Sequence, residues 1–137
     1  MTEKFELYEC EVCHNLVEVL KTGNGELYCC GRPMQLLTAH TEDEMKGEYH
    51  LPVHTKDEFG NEYIQVGREF HPMSEEHHID FIQMISQDGM TSQIKFLKTG
   101  DTPKIQTIER YGDYIAREHC NIHGLWANLI TRDKTNS

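Results

Sequence analysis

No window of this 137-residue sequence approaches the apolar length that a membrane span requires. The opening run Met1-Thr2-Glu3-Lys4-Phe5-Glu6 is charged from the start and leads into no apolar stretch, so a secretory signal is not expected. A cytoplasmic location, away from membranes, is the resulting expectation. Basic residues are scarce, 13 against 23 acidic ones, and the net charge of −10 argues against nucleic acid or an anionic membrane as partner. Long helical periodicity, internal repeats and low-complexity segments are missing as well.

What is present is concentrated in cysteine and histidine. The five cysteines, Cys10, Cys13, Cys29, Cys30 and Cys120, are odd in number and, in a reducing compartment, read as metal ligands or redox groups rather than a disulfide framework. Four of them fall within residues 1–38, among the short alternating runs Phe5-Glu6-Leu7-Tyr8 and Leu16-Val17-Glu18-Val19-Leu20 and the turn Thr22-Gly23-Asn24-Gly25. This predicts small β-hairpins with too little apolar material to hold a fold alone, for which a structural metal is the usual remedy. Cys10-Glu-Val-Cys13, then fifteen residues, then Cys29-Cys30 can surround one ion, and four sulfurs suit zinc or iron. The adjacent pair implies a distorted tetrahedron, because neighbouring side chains tend to point apart. Spacing alone leaves a zinc ribbon, an iron site and a redox disulfide open.

Beyond a polar linker at 38–47, β-rich runs alternate with turns: Glu62–Val66, Ile79–Ile85, Ser92–Leu97, Tyr114–Arg117 and Leu125–Ile130, broken at Gly60-Asn61, Asp88-Gly89, Gly100-Asp101 and Gly112-Asp113. Strands at that spacing predict an all-β chain with a compact β-sandwich over residues 39–137. Nine histidines are many for this length, and several of them gather in three segments. His50 lies in Gly47-Glu48-Tyr49-His50-Leu51-Pro52. His71 and His77 lie in Phe70-His71-Pro72-Met73-Ser74-Glu75-Glu76-His77. His123 follows in Glu118-His119-Cys120-Asn121-Ile122-His123-Gly124-Leu125-Trp126. Cys120-x2-His123 is a chelating turn, whereas each histidine alone is more often a surface or satisfied core residue. Imidazoles suit ferrous iron, and five ligands leave one position for a small molecule.

The segment from Tyr8 to Asn15 with Cys29-Cys30-Gly31-Arg32-Pro33-Met34 resembles desulforedoxin and the N-terminal domain of desulfoferrodoxins. The three histidine segments, in this order, resemble the catalytic domain of the same family and its shorter superoxide reductase relatives. The resemblance extends over nearly all of residues 1–130. It implies a desulforedoxin-like domain at 1–38, with iron on Cys10, Cys13, Cys29 and Cys30, followed by an immunoglobulin-like catalytic β-sandwich at 39–137. It implies His50, His71, His77 and His123 as equatorial ligands of a second iron, with Cys120 axial. Glu48 matches the family glutamate that can take the sixth position when the iron is oxidised. His78 stands where the family usually has an aromatic residue and reads as a packing residue. His14 reads as a surface residue, and His40, His54 and His119 lack motif support as ligands.

The activity implied is one-electron reduction of superoxide to hydrogen peroxide, with rubredoxin or a similar protein as electron donor and a homodimer as the assembly. Tyr49 departs from the family pattern, which has lysine there to draw superoxide in. A phenol donates a hydrogen bond and brings no positive charge at neutral pH. Lys46 and Lys56 are the nearby cations in sequence that could replace it. Two other function classes stay open: a non-catalytic iron protein for electron transfer or metal binding, and a zinc-stabilised structural protein.

Overall fold

Alternation of apolar and polar residues in short runs builds a fold of twelve strands and no helix among the described residues, 1–42, 50–67, 69–107 and 112–131 of a computed structural model. Among these described residues no helix is long and apolar enough to cross a membrane. The chain divides into two compact units, Met1–Thr38 and Ala39–Ser137.

In the first unit β1 (Leu7–Glu9) pairs antiparallel with β2 (Leu16–Glu18) and with β5 (Gln35–Leu36), while β3 (Tyr28–Cys29) and β4 (Arg32–Pro33) form a separate hairpin. The expected strand at Phe5–Tyr8 starts later because Phe5 has a φ of 71°, which turns the chain there. Leu7, Cys10 and Val19 are this unit's buried hydrophobic residues. Three side chains are a small core for 38 residues, so the sulfur cluster must supply much of the order.

The second unit stacks a three-stranded sheet, β10 (Lys104–Gln106), β7 (Glu62–Val66) and β6 (Pro52–Lys56), against a four-stranded one. The latter runs β12 (Gly124–Ile130), β11 (Tyr114–Cys120), β8 (Ile79–Ser86), β9 (Ser92–Phe96). Ile64, Val66 and Ile105 from the first sheet meet Ile82, Met84, Tyr114, Ala116, Cys120 and Ile130 from the second in one core, as in immunoglobulin-like sandwiches. β6 and β10 carry no strong sequence signal: one opens on proline and alternates polar residues, the other spans three residues, and both lie at sheet edges. β11 runs three residues past the expected end, because Glu118 and His119 are polar yet buried. His40 already bridges to Trp126 of β12, so the linker expected at 38–47 is part of the second unit from at least that residue. Residues 43–47 of that segment lie outside the described residues.

Candidate metal centres

Antiparallel pairing brings the histidine segments to one end of the sandwich. His50 precedes β6, His71 follows β7, His77 precedes β8, Cys120 ends β11 and His123 precedes β12. Starts and ends alternate along antiparallel neighbours, so all five fall at the same edge. Their ligand atoms lie within 4.8 Å of one another.

The four rings form a circuit. Centroids are 4.7 Å apart for His50–His71, 4.5 Å for His71–His77, 5.1 Å for His77–His123 and 4.8 Å for His123–His50. The diagonal His50–His77 is longer, at 6.5 Å. Cys120 Sγ approaches His71 Nε2 at 3.6 Å and His123 Nδ1 at 3.7 Å, and His50 Nε2 lies 3.1 Å from His123 Nδ1. Around a six-coordinate ion with bonds of about 2.1 Å to nitrogen and about 2.3 Å to sulfur, adjacent donors sit roughly 3 Å apart and opposite ones somewhat over 4 Å. The five donors fit such an ion. The sulfur is the buried pole, Cys120 being fully enclosed in the core, whereas His123 is exposed and His77 half-buried.

Surrounding groups aim these ligands. His71 Nδ1 donates to Pro72 O at 2.7 Å, which leaves Nε2 for the metal. The backbone N–H of His123 points at Cys120 Sγ at 3.4 Å and helps to fix the sulfur in place. Trp126, 2% exposed, stacks on His50 at 4.5 Å and 12° and donates from Nε1 to His123 O at 3.2 Å. Trp126 thus holds two ligand segments at once, a role its place in the motif does not reveal. Its ring also meets the exposed His40 at 4.5 Å.

The pairing of β8 with β11 slips at His119/Cys120, where His119 faces Phe81 and Cys120 faces Ile79. Asp80 is the extra residue, and the bulge turns its carboxylate toward His119 Nδ1 at 2.7 Å and His78 Nε2 at 3.1 Å. His78 therefore serves as a polar anchor rather than the packing residue expected, with Nδ1 also 3.0 Å from Ser74 O. His54 pairs with Glu62 at 3.1 Å, and neither it, His40 nor His119 joins the ligand cluster. Lys56 ends β6, about 13 Å along the strand from Pro52. That places it away from His50 and removes it as a replacement for the motif lysine. Lys46, Glu48 and Tyr49 lie outside the described residues.

In the first unit Cys10, Cys13, Cys29 and Cys30 gather with all sulfurs within 4.8 Å. Cys13 and Cys29 are 3.5 Å apart and Cys29 and Cys30 4.0 Å. Four bonds of about 2.3 Å require tetrahedral edges near 3.8 Å, so this cluster also fits one ion. The adjacent cysteines converge because Cys30 has a φ of 54°, followed by Gly31 at 72°, and this left-handed pair swings the second sulfur back. The Cys13 N–H, 3.5 Å from Cys10 Sγ, and the Val12 N–H at 3.4 Å lower the Cys10 thiol to about 6 despite its desolvation. Hydrogen bonding with Cys13, then with Cys10 and Cys29, pushes Cys30 up to about 12. The Cys10 thiolate thus forms readily, whereas the raised Cys29 and Cys30 thiols resist until a cation replaces their protons.

Comparison with known proteins bears on both centres. The family model "Desulfoferrodoxin, N-terminal domain" matches residues 2–37, and "Desulfoferrodoxin" matches 41–129. A desulfoferrodoxin homolog of Archaeoglobus fulgidus is 46% identical over 127 residues, 92% of this chain and 98% of that protein. A superoxide reductase of Thermococcus kodakarensis is 33% identical over 104 residues, 64% of this chain and 90% of its own. The crystal structure of the superoxide reductase from Treponema pallidum superposes with a TM-score of 0.68 at 20% identity, covering 89% of this chain and 95% of that one, a likeness of fold.

Proposed function

The chain belongs to the desulfoferrodoxin family, its two side-chain clusters fit the two iron centres of that family, and we propose that it is a superoxide reductase. The observation that carries the proposal is the ring of four imidazoles over one buried thiolate, a set of five donors that leaves a six-coordinate ion one position for a small molecule. A purely structural ion would be closed on all sides, and an electron carrier gains little from an open position. An iron held by His50, His71, His77, His123 and Cys120 would supply one-electron chemistry, by which superoxide, one electron and two protons give hydrogen peroxide.

The protein's own residues set the conditions for that transfer. Cys120 places a thiolate in the apolar core, where it favours the loss of an electron from the metal. One thiolate against a divalent ion leaves a net positive site, which attracts a small anion despite the acid surface. His71, anchored by Pro72 O, and His50, clamped by Trp126, keep their nitrogens in place and spare the site reorganisation. By the family resemblance, Glu48 and Tyr49 are assigned catalytic roles, Glu48 as the group that takes the sixth position once the iron is oxidised. A rubredoxin-type one-electron donor, a homodimeric assembly and a cytoplasmic location complete the proposal.

The test is superoxide consumption by the reduced, iron-loaded protein, with peroxide counted. Peroxide equimolar with the superoxide consumed is expected. Half that yield means dismutation, and no consumption by a protein with both irons in place leaves a metal-binding or electron-transfer protein instead.

A further inference from the structure

His77, like the other three histidines, belongs to no strand, and it lies two residues before β8 in a loop that must be held from outside. Ser74 closes this loop from one side, its N–H reaching His77 O at 3.0 Å and its hydroxyl accepting from the His77 N–H at 3.1 Å. The other side is closed from the turn that carries Cys120 and His123. Asn121 Oδ1 accepts the His78 N–H at 2.7 Å, and Asn121 Nδ2 donates to Glu76 O at 3.0 Å. The backbone N–H of Asn121 donates to His78 O at 3.1 Å.

One side-chain amide therefore grips the peptide groups on both sides of His77, in the manner of a neighbouring strand. Ladder pairing between β8 and β11 ends at Ile79 and Cys120, and Asn121 carries it on with its side chain as far as Glu76. Asn121 itself is exposed and touches no ligand atom in these bonds, so its effect passes through backbone position.

We infer that Asn121 is a positioning residue that locks the His77 loop to the Cys120–His123 turn and so fixes the spacing of three of the five metal ligands. The amide suits this task because it offers an acceptor and a donor side by side, which neither aspartate nor leucine of similar size does. Groups that orient metal ligands typically contribute about 10- to 100-fold in affinity. This inference rests on the metal reading of the histidine site and is independent of superoxide as substrate.

The experiment measures iron(II) release from the full-length protein to excess chelator, for wild type, Asn121→Leu and Asn121→Asp. The four-cysteine centre, followed by its thiolate-to-iron absorption, serves as internal reference. Release from the histidine site should be about 10- to 100-fold faster in Asn121→Leu. Asn121→Asp, which keeps the acceptor for the His78 N–H, should lose less. Cobalt(II) in the histidine site should show altered ligand-field bands in Asn121→Leu and bands nearer wild type in Asn121→Asp. Release within twofold of wild type with an unchanged cobalt spectrum would overturn the inference. So would equal acceleration at both centres together with a lowered unfolding temperature, since that is general loosening. Neither readout involves superoxide, so a protein inactive toward superoxide but sensitive at Asn121 would refute the proposed function and leave this inference standing.

Discussion

Cys120 touches two of the four imidazoles and receives the His123 N–H while buried in the core, so no water can substitute for it. Cys120→Ser should abolish superoxide reduction, because a hydroxyl neither ionises there nor donates electron density comparably. Glu48→Ala should keep the reaction with superoxide and change only the spectrum of the oxidised site. Full activity in Cys120→Ser, measured after pulse radiolysis, would overturn the proposed mechanism. Tyr49 invites the opposite experiment, adding what the family motif has and this sequence lacks. With Lys56 at the far end of β6, Tyr49→Lys should raise the second-order rate constant several-fold, a unit charge near the open position being worth on the order of 1 kcal/mol. The gain should shrink with added salt, since the screening length is about 10 Å at 0.1 M. An unaltered rate at both ionic strengths would make Tyr49 a bystander.

The connections between strands decide whether the ligands converge. Gly124 opens β12 directly after His123 with a φ of 84°, and a Cβ there would meet nothing within 4 Å. Gly124→Ala is therefore a pure test of backbone strain, expected to cost about 1–2 kcal/mol and to weaken metal binding at the histidine site by displacing His123. Denaturant unfolding and chelator competition read the two effects separately. The turns around Cys10–Asn15 and Cys29–Gly31 work differently, by aiming N–H groups and left-handed residues at sulfur. With Cys10 lowered to about 6 and Cys30 held near 12, metal loading at pH 8 takes protons from the raised thiols and none from Cys10. Below pH 6 Cys10 is protonated as well, so proton release per ion should rise by about one between pH 8 and 5. Calorimetry in buffers of different ionisation enthalpy counts those protons. A constant count would mean that the N–H bonds to Cys10 form only with the metal.

Each of the two compact units holds a complete ligand set. Superoxide should therefore react at the second centre without help from the first. Cys30→Ser is expected to disturb the four-cysteine absorption and leave the single-turnover reaction with superoxide near wild type. Loss of that reaction in a variant retaining iron at the histidine site would show that the first centre supplies the electron.

The all-β character and the two chelating turns were legible because each depends on short-range chemistry, whereas His50, His71 and His77 were singled out by resemblance to a family. Cys-x2-Cys and Cys-x2-His turns chelate by local geometry, and period-two alternation marks strands wherever one face is buried. Edge strands β6 and β10 escaped because their partners, not their own residues, hold them. The choice of ring nitrogen, Trp126 as a clamp, Asp80 as a bulge and Asn121 as a bridge were likewise invisible. They exist only once strands distant in sequence pair, as with His50 and His123, 73 residues apart yet 3.1 Å from nitrogen to nitrogen. The sequence by itself determined which residues offer donors to a metal, since donor chemistry belongs to the residue. Tertiary structure decided how those atoms are held, since orientation belongs to the neighbours that antiparallel pairing brings to one end of the sandwich.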